Sequence, residues 1–163
     1  DLDIAEISGG WGQNLPARSY VSYNFKQHDI CAGPVTYADG EVLKYDLILA
    51  NQVWEHPERP YKATQNVLEM LRPGGYFWLA VPFHIPYHPA PTDCTRWSPR
   101  GLRNFLIECG FPAADIKSAG WGNRAAAARN LEETWPPEYV KGEDSLENDR
   151  DFPIVSWALA RKR

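Results

Sequence analysis

The chain has 163 residues, of which 44% are apolar and 23% charged, with a net charge of −4. That length fits one domain with enough apolar residues for a real core, and an acidic balance without a Lys/Arg stripe argues against nucleic acid as the main partner. No apolar run approaches the roughly 20 residues that span a bilayer, no signal peptide precedes the first strand, and Cys31, Cys94 and Cys109 lack the paired spacing of a zinc site or disulfide framework; the expectation is a soluble cytoplasmic protein with no membrane partner.

In chain order, Leu2 to Ile7 reads as a strand that runs into the turn Glu6-Ile7-Ser8-Gly9-Gly10-Trp11-Gly12. Glycines let backbone approach a ligand closely and adopt positive φ, and an acidic side chain beside such a turn can hold an ammonium group. A phosphate-cradling loop competes with that reading, but the Walker lysine and Ser/Thr are absent and a dinucleotide fingerprint needs a different spacing. An ordinary Gly-rich turn is the other alternative. Few residues, Pro16 among them, separate Gly12 from a second strand at Ser19 to Phe25, so the first crossover helix is short or missing. Asp29-Ile30-Cys31 reads as a short third strand with its acid at one end, and Tyr37 to Lys44, with Asp39-Gly40, as a turn.

Asp46 precedes the apolar run Leu47 to Ala50, as in a strand covered on both faces. The polar pair Asn51-Gln52 ends that run at the carboxyl end of the strand, where open α/β sheets bind ligands. From Pro57 to Leu71, the positions Ala63, Val67, Met70 and Leu71 share one helical stripe, with Pro57 placed in the first turn. Pro73-Gly74-Gly75 stops the helix, and Tyr76 to Phe83 has the composition of a buried strand.

The ordered set of strand, polar pair, Glu55-His56, helix, Leu71-Arg72-Pro73-Gly74-Gly75 and strand resembles the second half of a class I S-adenosylmethionine-dependent methyltransferase (EC 2.1.1), of the small bacterial methyltransferase-11-like kind. The resemblance implies a Rossmann-like α/β fold: a mostly parallel sheet with an antiparallel last strand in a three-layer α/β/α arrangement, abbreviated at the N-terminal side. It implies S-adenosylmethionine as cofactor and S-adenosylhomocysteine as product, with Glu6, Ser8, Gly9, Gly10, Gly12, Asn24, Asp29, Asn51 and Gln52 around them. Ser8 stands in the family's first glycine slot, and Asn24 stands where an acid often holds the ribose hydroxyls, leaving a contact without charge assistance. Asp29 is placed to touch the adenine amine, with a surface turn acid as the alternative. Because the chain starts at its first strand, the helices that usually close the cofactor pocket are expected to be absent and the pocket unusually open.

Between Pro82 and Trp97, His84, His88, Asp93 and Arg96 are set among prolines, which fix φ and make a stiff loop. In methyltransferases of this type that loop lies near the methyl group and the acceptor. Methyl transfer from a sulfonium is an in-line displacement, so a hydroxyl acceptor needs a base: His84 or His88 can serve, with Asp93 orienting it and Arg96 holding an acidic substrate or pairing with Asp93. The alternative is that Asp93 and Arg96 staple the loop while the histidines cap carbonyls. His84, His88 and Asp93 are also metal-ligand types, but the prolines exclude the helical spacing of a zincin and no metal site is expected. His56 reads as a packing and capping residue at a helix start.

Ser98 as N-cap and Pro99 open a second helix with the stripe Leu102, Phe105, Leu106 and Cys109, ended by Gly110. Asp115 to Ala119 and Ile154 to Ala160 suit the last two strands. One domain, 1–163, therefore carries a long insertion, 120–151, with helical composition from Asn123 to Glu133; its first half reads as a cap over the acceptor pocket, and a homodimer contact is the rival. Trp11, Trp54, Trp97 and Trp121 fall at predicted strand ends or loops on the ligand side, as aromatic walls. The expected function is methyl transfer to an oxygen or nitrogen of a small-molecule acceptor. A non-catalytic cofactor-binding or degenerate partner subunit is the alternative.

Overall fold

The computed structural model describes residues 1–163. Strands β1 (Asp3–Ile7), β2 (Ser19–Tyr23), β3 (Tyr45–Asn51), β4 (Leu71–Pro82), β5 (Ile116–Trp121) and β6 (Val155–Arg161) form one sheet in the order β2-β1-β3-β4-β6-β5. The first four are parallel neighbours; β6 runs antiparallel to both β4 and β5. This is the expected Rossmann-like α/β sheet with an antiparallel last strand. From β1 the chain moves outward to β2 and returns to β3 on the other side of β1, so the strand order reverses there and opens a crevice at the carboxyl ends.

Helices α1 (Pro60–Met70) and α2 (Pro99–Glu108) cover one face. Ala63, Val67 and Met70 of α1 and Leu102, Phe105 and Leu106 of α2 pack with Ile48 and Ala50 of β3, Phe77 and Leu79 of β4, and Ala158 and Ala160 of β6. Small alanines on β6 leave room for the aromatic rings opposite, where Phe77 meets Trp54 edge-on at 5.1 Å between centroids. Trp54 is completely buried and its indole N–H donates to Thr64 Oγ1 of α1 at 2.7 Å, so its one polar atom is satisfied. On the other face the expected second helical layer is reduced to the single 3₁₀ turn Trp11–Asn14, whose Trp11 stacks on Trp78 at 4.9 Å. Four residues separate that turn from β2, too few for a crossover helix.

Several boundaries differ from the sequence-based expectation. Helix α1 begins at Pro60, not Pro57, because a proline disfavours helical backbone in the residue before it, and Arg59 has φ −127° and ψ 64°. Asp29-Ile30-Cys31 is a turn, not a strand: Asp29 Oδ1 accepts the Cys31 N–H at 2.8 Å and its carbonyl accepts from Ala32. β2 ends at Tyr23 because the Asn24 carbonyl accepts from Gln27 and His28 and curls the chain. In the insertion, helix α3 spans only Arg124–Arg129. Asn123 caps its start, and Asn130 Nδ2 donates back to the Ala126 carbonyl, competing with helix continuation. No helix is long and apolar enough to cross a membrane.

Candidate active site

A cavity of about 460 Å³ lies at the carboxyl ends of β1 and β3. Ile7 and Ser8 after β1, Phe25 to Cys31 in part, Gln52, Val53 and His56 after β3, and Pro91 and Thr92 of the proline-rich loop contribute to its walls. Its volume falls in the usual range for small-ligand sites. The chain has two non-glycine residues at positive φ, Ser8 at 52° and Gln52 at 54°, and both line this cavity. Strained backbone held at the ends of two adjacent strands is a mark of a functional site.

Glu6 does not line the cavity. Its carboxylate is 1% exposed and accepts from the N–H groups of Trp11 at 3.0 Å and Gly12 at 2.8 Å and from the Tyr20 hydroxyl at 2.7 Å. A Cβ on Gly9 would come within 2.3 Å of Glu6 Oε1, and one on Gly12 within 2.4 Å of Leu49 Cδ1. The glycines thus let the turn fold down over Glu6, and Glu6 shapes the turn. Burial first, then the Glu6 carboxylate, push the Tyr20 hydroxyl up to about 12, which keeps it a donor. Gly10, Asn24 and Asn51 also lie outside the cavity walls, as do Trp11, Trp54, Trp97 and Trp121. Ser8, Asp29 and Gln52 do line it.

The proline-rich loop is sewn to the segment after β3. The N–H groups of Cys94 and Thr95 donate to the Glu55 carbonyl at 2.8 and 3.2 Å, and the Thr92 hydroxyl donates to the His56 carbonyl at 2.7 Å. His56 Nδ1 in turn bonds the Thr92 carbonyl. Those bonds bring together Glu55, His56 and His88. Glu55 Oε1 lies 3.5 Å from His56 Nε2 and 3.8 Å from His88 Nε2, and the two imidazole rings are 5.2 Å apart. Behind His88, Asp93 Oδ2 accepts the His88 N–H at 2.9 Å and lies 3.3 Å from Nδ1. Arg96 forks onto both oxygens of Asp93 and holds that carboxyl low, at about 2. Burial raises the Glu55 carboxyl above the ordinary range, and its Oε2 has no hydrogen-bond partner. His84 stands apart: it is exposed, and its backbone N–H bonds the Ile154 carbonyl at 3.2 Å.

Glu55 entered the sequence reading only as part of a family motif, and His56 only as a packing residue. Adjacency in sequence was visible, but nothing local shows that residues more than thirty positions further on fold back onto them. From the insertion, Trp135 reaches the same place, with its ring 5.3 Å from that of His88 and its Nε1 held by Asn130 Oδ1 at 2.9 Å. The three cysteines are free. Burial pushes the Cys109 thiol up to about 11 and raises Cys31 as well, so neither is a poised nucleophile.

An open α/β sheet with its cavity at the reversal of strand order, above a glycine turn, is the architecture of the class I S-adenosylmethionine-dependent methyltransferases. The model of the family described as Methyltransferase domain matches residues 8–79. Solved structures of the same fold include an S-adenosylmethionine-dependent methyltransferase from Mesorhizobium loti, at 13% identity and a TM-score of 0.62 over 99% of this chain and 91% of that one. Another, from Archaeoglobus fulgidus, aligns at 12% identity and a TM-score of 0.59 over 98% of this chain and 86% of its own. A third, from Thermotoga maritima, aligns at 14% identity and a TM-score of 0.57 over the whole of this chain and 83% of its own. A search of curated proteins found no match. The chain thus has the fold of the class I S-adenosylmethionine-dependent methyltransferases, and residues 8–79 within it are similar to the Methyltransferase domain family.

The cavity suits that cofactor chemically. Adenosine and the methionine ammonium present donors, and the walls supply acceptors in Asp29, Gln52 and Glu58 beside apolar Ile30 and Val53. Asp29 uses Oδ1 for the Cys31 N–H, and its Oδ2 accepts no hydrogen bond from the protein.

Proposed function

We propose that this methyltransferase acts on an oxygen or nitrogen of a small-molecule acceptor that reaches the cavity beside His56 and His88. The observation that carries the reading is the placement of His88 between Asp93 and Glu55, next to His56 of the cavity wall. S-adenosylmethionine, when bound, supplies an electrophilic methyl group on a sulfonium. The chain has to hold the acceptor in line and, for a hydroxyl or ammonium, to take its proton. Asp93, fixed by the Arg96 fork, lies 3.3 Å from His88 Nδ1, and Arg96 Nη2 lies 3.5 Å from the same nitrogen; in the tautomer that pairs Nδ1–H with Asp93 the lone pair sits on Nε2. That tautomer makes Nε2 the proton acceptor, and the 120–151 segment, through Trp135, caps the same group. Alignment of the acceptor adds to the rate independently of the base.

Radiolabelled methyl transfer to a panel of small hydroxyl and amine compounds tests the reading. Acceptor-dependent product is expected, with kcat lowered about 10²–10⁴-fold in His88→Ala and little changed in His84→Ala. Full turnover in His88→Ala removes His88 from the chemistry; cofactor binding without product from any acceptor favours a non-catalytic partner subunit.

A further inference from the structure

We infer that Glu55, His56 and His88 form a binding site for a divalent transition-metal ion, zinc being the best match to two imidazoles and a carboxylate. The argument needs only these donor atoms and stands apart from the methyl-transfer reading. His56 Nδ1 faces the Thr92 carbonyl, which can only accept, so Nδ1 carries the proton and Nε2 the lone pair. His88 Nδ1 lies 3.3 Å from Asp93 Oδ2 and 3.5 Å from Arg96 Nη2, and pairing with Asp93 gives the same tautomer there. The two Nε2 atoms lie 3.5 and 3.8 Å from Glu55 Oε1. Three metal-ligand atoms converge, and Glu55 Oε2, on a side chain 1% exposed, has no partner at all. A buried carboxylate oxygen without a partner, beside two imidazoles, is a place for a cation.

The distances suit a metal. One ligand atom from each residue lies within 4.8 Å of the other two. Zinc bonds of about 2.0–2.2 Å put tetrahedral ligand atoms roughly 3.3 Å apart, so Glu55 and each histidine need to close by only a few tenths of an ångström. The outer contacts are those metal sites use: a carboxylate behind one histidine, itself held by Arg96, and a backbone carbonyl behind the other. Three protein ligands leave a fourth position, and His56 places it at the cavity wall. Metal occupancy and the proton-accepting role of His88 are mutually exclusive, because both use Nε2.

The test is calorimetric titration of the untagged, chelator-treated full chain with Zn²⁺ alone, and with Co²⁺ read by its visible absorption. One ion per chain is expected, bound at micromolar concentration or tighter. Glu55→Gln, His56→Ala and His88→Ala should each weaken binding at least tenfold, whereas His84→Ala and Cys94→Ser should leave it unchanged. Asp93→Asn keeps all three donors and disturbs only orientation; an about tenfold loss is expected there. Circular dichroism and the thermal midpoint of each variant establish that it is folded. Absence of saturable binding in the wild-type chain, binding unaffected by folded Glu55→Gln and His88→Ala, or binding lost in Cys94→Ser would overturn the assignment.

Discussion

Glu6→Ala is the perturbation that separates a turn-shaping carboxylate from a cofactor ligand. In the fold Glu6 is 1% exposed and accepts three hydrogen bonds, from Trp11 N–H, Gly12 N–H and the Tyr20 hydroxyl. Alanine removes all three acceptors. The Trp11 N–H is at a partly exposed residue and can turn to water, so the loss falls on the Gly12 N–H and the Tyr20 hydroxyl, at about 1–3 kcal/mol for each unsatisfied group. A destabilisation of about 4 kcal/mol follows, which for a chain of this size lowers Tm by about 8–16 °C. Thermal unfolding followed by circular dichroism reads the stability, and S-adenosylhomocysteine titration well below the variant's midpoint reads the cofactor site. The expected result is a large Tm loss together with weakened binding, because the turn that carries Ser8 into the cavity loses its support. Weakened binding at an unchanged Tm would refute the reasoning and make Glu6 a direct ligand.

Three further outcomes follow from particular residues. Ser8→Gly should stabilise the protein by about 1 kcal/mol in denaturant unfolding, since Ser8 sits at φ 52° and its left-handed backbone is strained for a residue with a Cβ; a loss of stability would mean the hydroxyl matters more than the strain. Phe77→Ala should cost about 3–5 kcal/mol, because its fully buried ring packs on both Trp54 and Phe111, and a cost under 1 kcal/mol would contradict the packing described. Asp93 is held at about 2, below the ordinary 3.8, chiefly by the hydrogen bonds of Arg96. Its contribution, about 2 kcal/mol, is therefore complete above the unfolded value and disappears as pH falls from about 4 to about 2. Asp93→Asn should accordingly be less stable than wild type at neutral pH and converge on it in acid; a constant difference across that range would show that ionisation of Asp93 is not what stabilises the loop.

The parts of the fold that were legible in the sequence are those where local chemistry decides. The apolar run of β3 and the stripe of α2 with its Ser98 cap each carry their own signal, and each is found within a few residues of where it was expected, whereas Pro73-Gly74-Gly75, expected to stop α1, lies inside β4, which starts at Leu71 directly after the helix. Boundaries set by competing local bonds were not legible. Asp29 and Asn130 divert the backbone through their own side chains, and Pro60 outweighs Pro57 as a helix start. The site divides the same way. The sequence groups His88, Asp93 and Arg96 because one stiff loop holds them, but the meeting of that loop with Glu55 and His56 is made by backbone bonds from Thr92, Cys94 and Thr95 that no local pattern announces. The acid before the glycine turn was visible, whereas its direction was not: which way Glu6 faces depends on Tyr20 of the neighbouring strand.

The most direct test of the account is whether the cavity at the ends of β1 and β3 takes the cofactor. Calorimetric titration of the wild-type chain with S-adenosylhomocysteine should show saturable one-to-one binding. Asp29→Ala, in the cavity wall, should weaken it at least tenfold, about 1.4 kcal/mol, while Asp39→Ala, in the remote turn before β3, should leave it unchanged. No saturable binding, or equal affinity in wild type and Asp29→Ala, would contradict the placement of the cofactor in this cavity.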